Sequence, residues 1–183
     1  MNQLGSKLVG GFDYADSVSN ALGTSGLIVT AAAAKATLTG TASVAQLNTL
    51  LSTNAKTTVA AVSDTPVNLI AGVSSLSAVN LDLVSQGALT VVQAATLSPV
   101  FAAIAAKTGS HTSTSLSNDV TAGTYTNKYV ISDVSSAIVD PANAAVVKGA
   151  TKVTASDAMT VAQASTLQAL AAASNSDALA ASS

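Results

Sequence analysis

One short pattern, returning three times, constrains this chain's fold more than any single residue does: SVAQLNTL from Ser43, TVVQAATL from Thr90 and TVAQASTL from Thr160. Self-similarity at intervals of a few tens of residues is the mark of a protein assembled from stacked supersecondary units. A Ser or Thr followed three residues later by Gln makes a capping box: the hydroxyl accepts from the amide of the third helical residue, and the glutamine returns to the amide of the cap. Ser43 with Gln46, Thr90 with Gln93 and Thr160 with Gln163 are therefore expected to open helices. Behind each box, Val44, Leu47 and Leu50, then Val91, Ala94 and Leu97, then Val161, Ala164 and Leu167 recur at three-residue steps, which places them on one buried helical stripe.

An aspartate stands upstream of each box at a nearly constant distance: Asp16 is 30 residues before Gln46, Asp64 is 29 before Gln93, and Asp133 is 30 before Gln163. In YADSVSNAL, VSDTPVNLI and ISDVSSAIV the aspartate sits where a strand would end and a short helix begin. Asp16, Asp64 and Asp133 are accordingly read as N-caps of those helices, with Pro66 tolerated in a first turn. In the third stretch Pro141 lies further on, and the helix there is expected to be short or broken. Between the two helices of each unit, GLIVTA, AVNLDLVS and TKVTAS carry the β-branched residues of a second strand.

The expected fold class is thus α/β: three diverged strand-helix-strand-helix repeats stacked into one body, about 12–59, 60–106 and 129–183. The first two aspartates are 48 residues apart and the next two 69 apart, and the surplus marks an insertion over about 107–128. That segment, KTGSHTSTSLSNDVTAGTYTNK, is rich in Ser, Thr, Gly and Asn and reads as a loop or hairpin on the surface. A chain of 183 residues suits a single repeat domain spanning 1–183.

Composition removes several functions. Charged residues make up 9% of the chain and hydrophobic ones 49%, so it folds rather than expanding by charge repulsion. All seven basic residues are lysines, all nine acids are aspartates, and the net charge is −2. Without arginine forks or a dense basic patch, nucleic acid is not an expected partner. A surface so weakly charged repels its own copies little, which favours self-association. Cysteine is absent, so neither disulfides nor thiolate metal sites hold the fold. The best apolar stretch, Ala21–Ala34, is interrupted by Gly, Ser and Thr and falls short of the ~20 residues a membrane span needs. Asp13 and Asp16 break the N-terminal region before a signal-peptide core develops, so a cleavable signal is not expected. The Ala/Ser-rich tail SNSDALAASS suits either an uncleaved C-terminal export signal or a frayed helix end.

VSDTPVNL followed by LTVVQAATL, and ISDVSSAIV followed by MTVAQASTL, resembles the degenerate aspartate-threonine and valine-alanine-glutamine repeats of very large bacterial surface and secreted proteins. Those proteins are adhesin-like or exported by type I systems, and similar repeats suit phage virion proteins. The resemblance covers about residues 12–180, and Val134 and Ser135 depart from it where the second copy has Thr-Pro. It implies scaffold or attachment, and a location outside the cell, on its surface or on a virion.

Sites of chemistry are sparse. His111, the only histidine, lies in GSHTSTS, but no GxSxG elbow accompanies it, and an exposed loop residue is the expected reading. Asp13 and Asp16, with Asn118 and Asp119, are the nearest approach to clustered oxygen ligands for calcium; no DxDxDG run or GGxGxD nonapeptide is present. The glycines form no GxGxxG or Walker pattern. No catalytic, cofactor-binding or metal residue is therefore assigned. His111, Tyr125 and Tyr129, in and beside the insertion, are the candidate partner contacts, since aromatic groups dominate contact energetics. The expected function is a non-enzymatic structural protein that packs with its own copies or with neighbouring subunits. The alternative is an adhesive or carbohydrate-binding module that meets a surface glycan through residues 107–128.

Overall fold

A computed structural model of the chain describes residues 11–107 and 129–180. The chain runs β1 (Asp13–Ser17), α1 (Val18–Ala21), α2 (Thr24–Ala32), β2 (Lys35–Ala42), α3 (Val44–Thr53), β3 (Thr57–Asp64) and α4 (Pro66–Ala71). A 3-10 turn (Val73–Ala78) then leads into β4 (Val79–Ser85) and the long α5 (Val91–Lys107). Beyond residue 128 come β5 (Val130–Asp133), α6 (Ser135–Ile138), a 3-10 turn (Pro141–Asn143), α7 (Ala144–Gly149), β6 (Lys152–Ala155) and α8 (Val161–Ala180).

The protein is mixed α/β. β1 to β4 form a four-stranded parallel sheet in sequence order, and β5 and β6 form a separate parallel pair. A single parallel bridge between Leu89 and Ile131 joins the chain after β4 to β5. Parallel neighbours require a crossover, and here each crossover is helical, so every strand lies one helical coil beyond the last. The ladder advances 22 residues from Asp13 to Lys35, 21 from Ala36 to Thr57, 20 from Val59 to Val79 and 22 from Val130 to Lys152. The physical coil is thus one strand and its return, and the 48-residue spacing of Asp16 and Asp64 spans two of them.

Parallel sheets are usually covered on both faces. β2 instead buries Ala36, Leu38 and Ala42 while Lys35, Thr37 and Thr39 stay exposed, so one face packs under helices and the other carries threonines to solvent. Below the covered face one cluster of buried apolar side chains runs from Val18 in α1 to Val147 in α7, crossing from the first sheet to the second through Leu89, Val91 and Ile131. Gly40, at φ +86°, sits in the irregularity between Leu38 and Thr41 where the β2–β3 register shifts, a conformation that a side chain would strain.

Two expectations need correction. GLIVTA lies within α2 rather than in a strand. It does not alternate; Leu27, Thr30 and Ala33 instead fall at three-residue steps facing the core, and the alternating KATLTGTA just beyond makes the strand β2. Lys107 belongs to the last turn of α5 and not to the insertion. Its ammonium donates to the carbonyls of Ser77 and of Val79, the latter at 2.8 Å, and burial pulls its pKa below the usual lysine value. The rest of the insertion, with His111, Asn118, Asp119 and Tyr125, lies outside the described residues. The helix expected to be short in the third stretch is α6, of four residues, followed by the turn that Pro141 opens.

Candidate functional site

The recurrent polar residues all gather at helix starts, and what they bind there is backbone. A helix leaves its first four amides without intrahelical partners. At α3 the Ser43 amide donates to Gln46 Oε1 at 2.8 Å, and the Gln46 amide donates to Ser43 Oγ at 3.2 Å. At α5 the Thr90 amide reaches Gln93 Oε1 at 2.9 Å and the Gln93 amide reaches Thr90 Oγ1 at 3.2 Å. At α8 the same two bonds join Thr160 and Gln163, at 2.8 and 3.3 Å.

The aspartates do something the local pattern did not indicate. The N-caps of α1 and α4 are Ser17 and Thr65, and that of α6 is Val134; Asp16, Asp64 and Asp133 each stand one residue earlier. One carboxylate oxygen of each accepts the amide of the following residue, Ser17 at 2.7 Å, Thr65 at 2.8 Å and Val134 at 2.8 Å. The other oxygen reaches back one coil. Asp64 Oδ2 accepts the Val44 amide, the first of α3, at 2.9 Å, and Asp133 Oδ2 accepts the Val91 amide, the first of α5, at 2.9 Å. Each of these aspartates therefore fastens the coil it ends to the helix of the coil before. The reading of Asp16, Asp64 and Asp133 as N-caps of their own helices is corrected accordingly.

A third member was missed by sequence reasoning. Asp157, just past β6, accepts the Ser135 amide at 2.6 Å and the Ser135 hydroxyl at 3.3 Å, which caps the start of α6 where the Val134 side chain has no acceptor. Its signal was the Ser-Asp pair, present as Ser63–Asp64, Ser132–Asp133 and Ser156–Asp157; Ser176–Asp177 in α8 shares it, so the pair is not sufficient alone. A second unread signal is an asparagine four residues on: Asn20 Nδ2 donates to Asp16 at 2.8 Å and Asn68 Nδ2 to Asp64 at 2.7 Å. Helix ends receive the same treatment, since Asn54 Nδ2 donates to the Thr30 and Ala33 carbonyls at the end of α2, both at 2.9 Å.

Asp64 is only 8% exposed. Burial raises its pKa, but the bonds from Asn68, Val44 and Thr65 outweigh that and hold the carboxyl below the usual aspartate value. Asp16 is likewise lowered, by the Ser17 amide first, then by Asn20 and by Tyr14, whose hydroxyl donates to Asp16 Oδ2 at 2.9 Å. Tyr14 is raised in turn by burial, with the Asp16 hydrogen bond and charge adding to it.

Tyr129, expected as a partner contact, belongs to the core. It is 3% exposed, stacks on Phe101 with ring centroids 5.6 Å apart, and donates its hydroxyl to the Val146 carbonyl at 2.5 Å; burial pushes its pKa up to about 12. His111 and Tyr125 lie outside the described residues. Among the described residues no three His, Cys, Asp or Glu side chains are grouped to hold a metal ion, and no helix is long and apolar enough to cross a membrane. The carboxylates of Asp64, Asp133 and Asp157 all act as acceptors for backbone amides, an arrangement that holds coils in register. No family model, curated protein or solved structure matches the chain, so the functional reading rests on this geometry.

Proposed function

We propose that the chain is a non-enzymatic structural protein that self-assembles, or packs with neighbouring subunits, on a bacterial surface, a filament or a virion. We read it as three diverged strand-helix-strand-helix repeats forming one body, with an insertion between the second and third. The observation that carries the reading is where the recurrent polar side chains go: Gln46, Gln93, Asp64 and Asp133 all hydrogen-bond to backbone at helix starts. A surface of such low charge and a frame that grows by adding coils suit assembly. Light scattering on eluted fractions over a hundredfold range of concentration, with electron microscopy of the same samples, tests this. Ordered polymers or a defined oligomer support it, and a monomer throughout the range removes it.

A second reading is supported by how the ends of the insertion are held. Lys107 is tied to the Ser77 and Val79 carbonyls, and Tyr129 is stacked on Phe101, so both ends of the segment are pinned to the core. A segment so anchored suits display of an adhesive or glycan-binding surface on a rigid base. Glycan-array binding lost on replacing residues 108–127 would favour it; binding that survives the replacement would not.

A further inference from the structure

We propose that copies of this chain stack head to tail, the start of α8 in one copy docking, in the next, on the edge of β1 that no described strand covers, so that the coils continue from molecule to molecule. The proposal rests on the self-assembly reading and specifies its interface.

The joint required is built twice at capping boxes within the chain, and the Asp157–Ser135 bond repeats its hydrogen bond between β6 and α6. In the first, Ala42 pairs with Val62 in parallel, and two residues further along each strand the Val44 amide donates to Asp64 Oδ2. In the second, Leu89 pairs with Ile131, and again two residues further on the Val91 amide donates to Asp133 Oδ2. Each joint buries the first valine of its helix: Val44 is 6% exposed and Val91 0%.

The third capping box stands ready for the same joint without its second half. Val161 is 85% exposed, and no acceptor among the described residues takes its amide. Ala164 is exposed where Leu47 and Ala94 are fully buried, and Met159 is only partly buried where Ala42 and Leu89 are buried.

The matching half lies at the other end of the stack. Among the described residues β1 is the edge of its sheet, paired on one side with β2. It presents Tyr14, Ala15 and Asp16 in the order that Val62, Ser63 and Asp64 hold in the first joint. Asp16 Oδ1 already receives Ser17 and Asn20 as Asp64 Oδ1 receives Thr65 and Asn68. Among the described residues its Oδ2 receives the Tyr14 hydroxyl alone, and a carboxylate oxygen has a second lone pair for an amide.

Beside it lies an open cleft of about 550 Å³, lined by Tyr14, Asp16, Asn20, Gly23 and Thr24 among others. In the first joint the corresponding space is filled by Val44, which packs so closely on Gly72 that a Cβ there would meet Val44 Cγ1 at 2.3 Å. Thr24 follows Asp16 by eight residues, as Gly72 follows Asp64. Docking therefore sets Met159 opposite Tyr14, the Val161 amide on Asp16, and the Val161 side chain in the cleft. A helix N-terminus meets a carboxylate, which is electrostatically favourable. The two faces differ, so the contact is heterologous; stacking coil on coil along one direction propagates it as a filament, using a strand edge that no described strand other than β2 pairs with.

The test uses two surface variants of the full chain, neither of which touches a hydrogen bond described above. Thr24→Arg fills the receiving cleft, and Val161→Asp places a carboxylate against Asp16 while suiting a helix first turn. Each alone is expected to be monomeric under conditions where the unaltered chain forms filaments. Mixed in equal amounts, they are expected to form a one-to-one dimer of doubled mass, because each retains the face the other has lost; circular dichroism confirms that both are folded. If either variant polymerises as the unaltered chain does, or the mixture stays monomeric, the head-to-tail joint is wrong while self-assembly stands. If the unaltered chain is monomeric at every concentration, the reading beneath it falls as well.

Discussion

Replacing Asp64 with alanine measures what one bond between coils is worth. Asp64 receives the Thr65 amide at 2.8 Å, the Asn68 side chain at 2.7 Å and, from the preceding coil, the Val44 amide at 2.9 Å. Removing an acceptor from a buried donor costs about 1–3 kcal/mol, because the donor has lost water on folding and gains nothing in return. Val44 is buried, so its amide bears that cost in full, whereas the more accessible Thr65 and Asn68 groups recover part of theirs from solvent. Loss of the bonds to the Thr65 amide and the Asn68 side chain adds about 1 kcal/mol, for a total of about 2–4 kcal/mol. Asp16→Ala is the internal control: it removes the matching local bonds, to Ser17 and Asn20, and the bond from the accessible Tyr14 hydroxyl, with no partner from a preceding coil among the described residues. It should cost only about 1 kcal/mol. Both are measured by urea denaturation followed by circular dichroism, in the Val161→Asp background so that assembly does not enter. Equal costs for the two variants would refute the bond between coils as a distinct contribution. Acid supplies an independent check. The folded pKa of Asp64 lies below its unfolded value of about 4, so its stabilisation is present above that pH and is lost as pH falls through the folded value. Asp64→Asn should therefore flatten the acid limb of the stability profile.

Gly72→Ala forces a methyl against Val44 Cγ1 and should cost about 1–3 kcal/mol, with Val44→Ala in the same chain restoring part of the loss; an unchanged denaturation midpoint for the single variant would show that α3 and α4 are not in close contact. Tyr129 should remain un-ionised until about pH 12, so the stability it contributes is intact below the ordinary tyrosine value of about 10 and disappears as pH rises through 12; ultraviolet titration showing all three tyrosines ionising together near pH 10 would place it at the surface. Replacing residues 108–127 with a short Gly/Ser linker should change stability by under about 1 kcal/mol, since loop closure varies by only ~0.6 kcal/mol per doubling of length, while removing any contact with a partner that the segment makes. A linker variant that fails to fold would make the segment part of the core.

What the sequence determined by itself was local. The helix starts at Ser43, Thr90 and Thr160 were legible because a capping box joins residues three apart, and the hydroxyl, the glutamine and the amides they serve lie within one turn. Pro66 likewise suited a helix's first turn through its fixed backbone angle, and Pro141 marked a short first helix in the third stretch. The tertiary structure decided whatever depended on a partner many residues away. Asp64 and Val44 are 20 residues apart and Asp133 and Val91 are 42 apart, so no window of sequence shows that these aspartates fasten neighbouring coils. GLIVTA carries strand-forming residues, yet it is a helix because the core beneath it accepts Leu27, Thr30 and Ala33 on one face. Tyr129 looked like a contact residue at the border of a polar insertion and became a core residue because Phe101, 28 positions earlier, supplies the ring it stacks on. Short-range hydrogen bonds are written in neighbouring letters, whereas burial and the joining of coils exist only once the chain has returned on itself.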